Sequence, residues 1–377
     1  MRMRTLAGLG AAMVSAAAIT AQTLPAAANL NPTAANAYLQ TNLVSDRSDQ
    51  GAQIVDPNLV NAWGLARGPS TPLWVADNGT GVATVYRVNV GGTSVTKVPL
   101  TVKVMGSRPA TGDPRSPTGQ VFNPTGGFVI HSKAGSGPAL FIFDSESGRI
   151  SAWSPAADPI SAGMSSAQVV VRSRTAVFKG LAIATTHHRT FLYATDFHNG
   201  KVDVFNSHFR MVQLAGSFRD RSLPAHYAPF GIQAIKGLIY VTYAKQDATR
   251  HDDVSGPGHG FIDVYTASGH LVKRLASRGT LNSPWGLVLA PGGFGHFSNL
   301  LLAGNFGNGR INGFGALSGH FAGQLRDQHN KAISIDDLWG LTFGTKTTGG
   351  LHTLLFSAGI NDEKDGLLGS INLNGTT

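Results

Sequence analysis

Two loops concentrate the side chains that could do chemistry. The first, residues 244–260, holds Asp247, His251, Asp252, Asp253 and His259. Three carboxylates within seven positions stand out in a chain with only 21 Asp and Glu. The second, residues 359–366, sets Asn361, Asp362, Glu363 and Asp365 between two glycines. Carboxylates, amides and backbone carbonyls are the ligands of hard divalent cations. Asp247, Asp252, Asp253, Asp362 and Glu363 are therefore the expected metal set, with a divalent cation such as calcium as the implied cofactor. Neither loop has EF-hand spacing, and Asp and Gly are also ordinary loop residues.

Nucleophile chemistry finds less support. The chain has no Cys, which removes disulfides, thiolate metal sites and cysteine nucleophiles. No Gly-x-Ser-x-Gly, His-Glu-x-x-His or phosphate-binding Gly-Lys-Ser/Thr loop occurs. No catalytic residue is assigned.

The elements that must position these loops come from a repeat. A turn residue or Pro, one residue that is commonly aromatic, then Gly and an aliphatic recur around Gly64, Gly119, Gly180, Gly231, Gly286 and Gly340. The spacing runs from 51 to 61 residues. An apolar β-rich run follows each copy, then a polar turn and an alternating strand, the pattern of antiparallel hairpins. Four strands per repeat, six times, predicts an all-β fold, a six-bladed β-propeller of four-stranded antiparallel blades. After the sixth repeat the chain stops at its third strand. Tyr38–Ser45 is expected to supply the missing outer strand and close the ring. The domain plan is a signal peptide at 1–28, a short linker at 29–37 and one propeller over 38–377.

In such a ring, the loops leading into the inner strands and the turns between second and third strands share one face. Asp77, Asn78, Asp196, His226, Asn305 and Asp336 form the expected ligand-binding face, with Asp56, Asp113, Arg115, Asp144, Lys179, Tyr227, Asn282 and Asp337 as further members. For Asp77, Asp144 and Asp196 the simpler reading is a turn hydrogen bond at a strand end. His187-His188 falls on the opposite face, as surface histidines. Trp63, Trp285 and Trp339 beside the repeat glycines are expected to wedge neighbouring blades apart.

The stretches Thr41-Asn42-Leu43-Val44-Ser45-Asp46, Asp56 to Leu65 and Trp74 to Gly79 resemble a family of exported bacterial proteins related to NHL-repeat propellers. Tyr243 to Asp247 with the loop to Gly260, and Ala358 to Glu363 with Gly366 to Ile371, resemble the same family. The resemblance implies fold and export, not a reaction.

Targeting and charge agree with export. Arg2 and Arg4 precede an uncharged Ala-rich stretch from Leu6 to Ile19, with small-residue sites at Ala21 and Ala28. That stretch is too short to span a bilayer, and no later one approaches the length needed. The net charge is +9, but the basic residues are scattered, which argues against nucleic acid. The expectation is a soluble periplasmic or extracellular monomer. Its loop-rich face would bind a small molecule, a polysaccharide or a protein. The alternative is a metal-dependent hydrolase or lactonase at the channel mouth.

Overall fold

Six glycines at one position of a repeat mean that six backbones pass close to a common axis. The computed structural model describes residues 36–104 and 116–375. Blade 1 runs outward from Ala62–Ala66 through Leu73–Asp77 and Val82–Val88 to Val95–Lys103. Blade 2 uses Pro117–Phe122, Phe141–Ser145, Arg149–Trp153 and Gln168–Arg172. Blade 3 uses Phe178–Thr186, Arg189–Asp196 and Lys201–Asn206, and blade 4 Tyr227–Ile235, Leu238–Lys245, Phe261–Thr266 and Leu271–Ser277. Blade 5 has Pro284–Leu289, Leu301–Asn305, Ile311–Phe314 and Phe321–Gln324. Blade 6 has Leu338–Phe343, Leu354–Ala358 and Leu367–Leu373, and Tyr38–Ser45 pairs antiparallel with the last of these as its outer strand. The innermost strands touch in sequence around a closed ring, blade 6 against blade 1. The propeller and its closure are as expected from the repeat.

All six inner strands share a device that the repeat encodes. Each has a one-residue β-bulge at the step between the aromatic position and the glycine. An added residue at this point kinks the strand and re-aims one side chain. The glycine answers the crowding that results. A Cβ on Gly340 would lie 2.6 Å from the Trp63 carbonyl oxygen of the next blade, and one on Gly180 2.9 Å from that of Phe230. On Gly231 it would collide with the Trp285 carbonyl at still shorter range.

Six apolar clusters fill the seams between adjacent blades, for example Phe141, Phe143 and Trp153 of blade 2 against Trp74 and Val85 of blade 1. A seventh lies on the axis and contains Trp63, Phe197, Phe230, Trp285 and Trp339. The tryptophans therefore do not wedge blades apart. Trp63 and Trp339 stack with ring centroids 3.5 Å apart, Trp285 meets Trp339 edge-on at 5.6 Å, and together they plug the channel. The bulge explains this, because it turns the residue before each glycine toward the axis.

Several details depart from the repeat. Met164–Ser166 pairs parallel with the outer strand of blade 1 and Ile54–Val55 with that of blade 6, so these two sheets have a fifth strand. Blade 3 lacks a regular fourth strand: Met211 bridges Phe205, and the Val212 N–H donates to the Val204 carbonyl. Blade 2 carries an extra hairpin, Val129–His131 with Ser136–Pro138. His187 and His188 take left-handed backbone angles in a two-residue turn between Thr186 and Arg189, exposed as expected of surface histidines between the first and second strands. Among the described residues, no helix is long and apolar enough to cross a membrane. The proposed signal peptide, most of the linker, Asp113 and Arg115 lie outside the described residues.

Candidate functional site

The six side chains that precede the ring glycines are Trp63, Thr118, Lys179, Phe230, Trp285 and Trp339. Four are aromatic and form the plug. Lys179 takes the same bulge position in blade 3, so its side chain is carried to the axis among them. Only 2% of that side chain is exposed, an unusual fate for an ammonium group. It lies 5.2 Å from the Trp63 ring centroid. Its Nζ donates to Glu146 Oε1 at 2.5 Å and to Asp252 Oδ1 at 3.0 Å. Burial alone would lower the Lys179 pKa; the Glu146 and Asp252 carboxylates outweigh it and hold the group above its ordinary value. Burial would raise Glu146, and Lys179 reverses that too, so the pair is ionised.

From this pair a continuous hydrogen-bonded chain runs in both directions around the channel mouth. On one side Asn78 Nδ2 donates to Glu146 Oε2 at 3.1 Å, and Asn61 Nδ2 donates to Asn78 Oδ1 and to Glu363 Oε1, each at 3.2 Å. On the other, the His251 imidazole Nδ1 lies 2.9 Å from Asp252 Oδ1. That contact, with Lys179 adding to it, holds Asp252 well below the usual carboxylate range. The same contact raises His251, against burial and the Lys179 charge. Asn61 is the hub. Its Oδ1 accepts the indole N–H groups of Trp63 at 2.8 Å and Trp339 at 3.2 Å, so the polar chain rests on the aromatic plug. Glu363, Asn61, Asn78, Glu146, Lys179, Asp252 and His251 come from loops or strands of five blades.

Two further carboxyls at the mouth, Glu363 and Asp337, are raised. Burial pushes Glu363 up to about 7, Glu146 and Asp337 add to it, and Lys179 and Asn61 oppose it. Burial and the Asp336 charge push Asp337 up to about 6. A raised carboxyl favours the folded state while protonated, and that advantage is lost as pH rises from the ordinary 4.5 through about 7. Glu363→Gln keeps the acceptor for Asn61 and removes the charge. Chemical unfolding of this variant is expected to show about 1–2 kcal/mol more stability than the wild type at pH 8, after allowance for its partial exposure. The difference should vanish near pH 4; equal stabilities at both pH values would refute the assignment.

Of the residues expected on this face, the structure brings Asn78, Lys179, Asp252 and Glu363 into the chain. Asp77 is fully buried at a strand end, with no hydrogen-bond partner for either oxygen among the described residues, and burial raises its carboxyl far above the usual range. Asp196 and Asn305 brace their own turns: Asp196 accepts from Asn199 Nδ2 at 2.7 Å, and Asn305 Nδ2 donates to Asn308 Oδ1 at 3.0 Å. His226 is exposed, with its carbonyl bonded to the Gln246 N–H, and Asp336 accepts from the Asn361 N–H at 2.9 Å. Asp247 is engaged by Thr249 and the His251 N–H within its own loop, Asp253 by Ser255, and Asp362 is exposed beside Lys364.

The metal expectation can be tested against this arrangement. Glu146, His251 and Asp252 offer ligand atoms within 4.8 Å of one another, and this is the one such group among the described residues. Of the five expected ligands it contains Asp252 alone. The Lys179 ammonium already bonds both carboxylates of the group, so the donor set as built fits an ammonium and not a divalent ion. Sequence reasoning missed Glu146, which looks like any polar residue of a Ser-Glu-Ser-Gly turn. Lys179, by contrast, was expected on this face, and it is the one charge at a ring position otherwise held by aromatics and Thr.

No protein-family model matches the chain. Uncharacterized protein R648 of Acanthamoeba polyphaga mimivirus is 32% identical over 337 residues, covering 87% of this chain and 78% of that one. Uncharacterized protein L690 of the same virus is 32% identical over 333 residues, covering 87% and 84%. These relatives are viral, so they lend no support to the bacterial origin that the resemblance implied. Among solved structures, an alpha-L-arabinofuranosidase mutant from Fusarium graminearum, in complex with an iminosugar inhibitor, superposes with a TM-score of 0.50 at 10% identity, over 89% of this chain and 97% of that one. At that identity the likeness shows the propeller fold alone. The chain belongs to the propeller family that includes proteins R648 and L690 of Acanthamoeba polyphaga mimivirus.

Proposed function

We propose that this propeller is a binding module, without catalysis, that takes a small cationic ligand at the channel mouth. The supporting observation is the polar chain around Lys179. A buried ammonium and carboxylate cost several kcal/mol of desolvation each, which apolar residues at the same points would avoid. Blades 1, 4, 5 and 6 place an aromatic residue where blade 3 places Lys179, so the fold does not require the charge. Lys179 is fully compensated by two carboxylates. The acidic groups left at the mouth are Asp252 Oδ2, the exposed Asp336 and Asp362, the latter beside Lys364, and the half-buried Asp253 and Asp337. On a chain of net charge +9, this acidic mouth selects a ligand that brings its own positive charge and hydrogen-bond donors.

Titration calorimetry with arginine methyl ester and spermidine, against glucose as a neutral probe, tests the reading. Saturable binding of the cationic probes alone is expected, at least fivefold weaker in Asp252→Asn. Absence of binding, or binding that Asp252→Asn leaves unchanged, would overturn it. The alternative, metal-dependent hydrolysis, has the Glu146–His251–Asp252 group in its favour and the Lys179 ammonium against it. Calcium and chelator are accordingly expected to leave the melting temperature unchanged; a calcium-dependent rise would favour the alternative. Export belongs to the same proposal, and mass spectrometry of the secreted chain should find a mature N-terminus at Gln22 or Asn29.

A further inference from the structure

The other end of the channel is built differently. Below the aromatic plug the channel opens to the opposite face as a cavity of about 260 Å³, walled by Leu65, Val121, Phe122 and Ile183 and by the side chains of Arg67 and Gln120. Arg67 follows the inner strand of blade 1. Its Nε donates to the Phe343 carbonyl at 2.6 Å, which fixes the side chain against blade 6. Among the described residues, its two terminal nitrogens have no hydrogen-bond partner and no carboxylate pairs with it. Among the described residues, it is the sole charged group lining the cavity. Burial acts on it unopposed and lowers its pKa from the usual value, consistent with a guanidinium that lacks a counter-ion. Gln120 is fixed beside it, its Nε2 donating to the Gly64 and Trp74 carbonyls, each at 2.6 Å.

From this cavity we infer a second ligand site, which takes a small organic monocarboxylic acid with an apolar body. The guanidinium presents two parallel donors to a carboxylate, the geometry in which arginine binds best. One uncompensated positive charge in a partly desolvated cavity balances one negative charge. A dianionic phosphate would leave a charge unpaired there, which is costly. The four apolar walls accept the hydrocarbon part, and the closed plug end limits its length. A ligand in this position would also supply the counter-charge that Arg67 lacks.

Hexanoate and benzoate serve as probes, with hexanamide, benzamide and inorganic phosphate as controls, followed by titration calorimetry and by ligand-detected NMR. The acids are expected to bind at least tenfold more tightly than their amides and than phosphate. Arg67→Met should abolish the preference of acid over amide, and Arg67→Lys should restore part of it. Equal binding of acid and amide to the wild-type protein, equal binding of phosphate, or no binding of either acid would overturn the inference. The wild-type comparison does not depend on whether the variants fold. Asp252→Asn, at the opposite mouth, should leave hexanoate binding unchanged, which separates this site from the proposed cationic one.

Discussion

Gly231→Ala is expected to destabilise the propeller by about 3 kcal/mol or more, enough to leave little folded protein if the wild type has ordinary stability. The cause is steric alone. Gly231 does not have a positive φ, so alanine can adopt its backbone angles without strain. The added methyl would run into the carbonyl of Trp285, which belongs to the inner strand of blade 5 and cannot swing away as a surface side chain could. Relief requires blades 4 and 5 to separate at the axis, which opens the seam formed by Ile235, Leu281, Leu287 and Phe314. Overpacking of a tight interior costs roughly 1–3 kcal/mol even where side chains can adjust. The same substitution at Gly180, where the nearest backbone oxygen is 2.9 Å away, should cost less. At Gly126, where nothing lies within 4 Å, it should fall within about 0.5 kcal/mol of neutral. Equilibrium denaturation of the three variants tests the order. If Gly231→Ala proved as mild as Gly126→Ala, the repeat glycines would not be there for close approach of the inner strands.

That ordering also shows where the sequence was legible. The ring glycines recur six times, so the blade count, the inner strands and the closing strand Tyr38–Ser45 could all be read from spacing and alternation. Local pattern suffices there because every blade solves the same packing problem. The site is the opposite case. Asn78 and Lys179 were legible only as members of a face, and Asp252 and Glu363 only as members of two acidic loops, since a repeat tells which loops meet but not which side chains do. Glu146 stands in a turn whose composition suits any solvated hairpin. Arg67 looks like an exposed charge just past a strand, and nothing local reveals that it lacks a carboxylate. The tryptophans were misplaced for a related reason: apolar pattern marks them as buried, while the bulge that sends them to the axis and not to a seam is a property of strand register. Blade 3 lacks its regular outer strand, and 201–218 has no pattern weak enough to announce it.

Replacing Lys179 by methionine is the most direct probe of the axial charge cluster, and the expected cost is about 3–5 kcal/mol. Methionine fits the volume and the aromatic surroundings, so the loss would not come from a cavity. It would come from Glu146, whose side chain is 9% exposed and which would keep its charge with the Asn78 amide bonded to it and the His251 ring nearby in place of a bonded ammonium. Two consequences separate this account from a general packing defect. First, Glu146→Gln added to Lys179→Met should restore most of the stability, to within about 1 kcal/mol of the wild type, because the double variant buries no net charge and a Gln can still accept from Asn78. Second, the penalty should depend on pH. Without Lys179, burial pushes the Glu146 carboxyl upward, so the folded single variant binds a proton that the unfolded chain releases above its ordinary 4.5. Its deficit against the wild type should therefore shrink as pH falls toward that value and be largest at neutral pH and above. Denaturant titrations of the wild type, both single variants and the double variant at pH 5 and pH 8 supply the complete cycle. A deficit that is independent of pH, or a double variant no more stable than Lys179→Met, would mean that the ammonium matters for its shape. The charge-based reading of the channel mouth would then fail, because the same compensated pair is what leaves the outer carboxylates of Asp252 and its neighbours free to attract a cation.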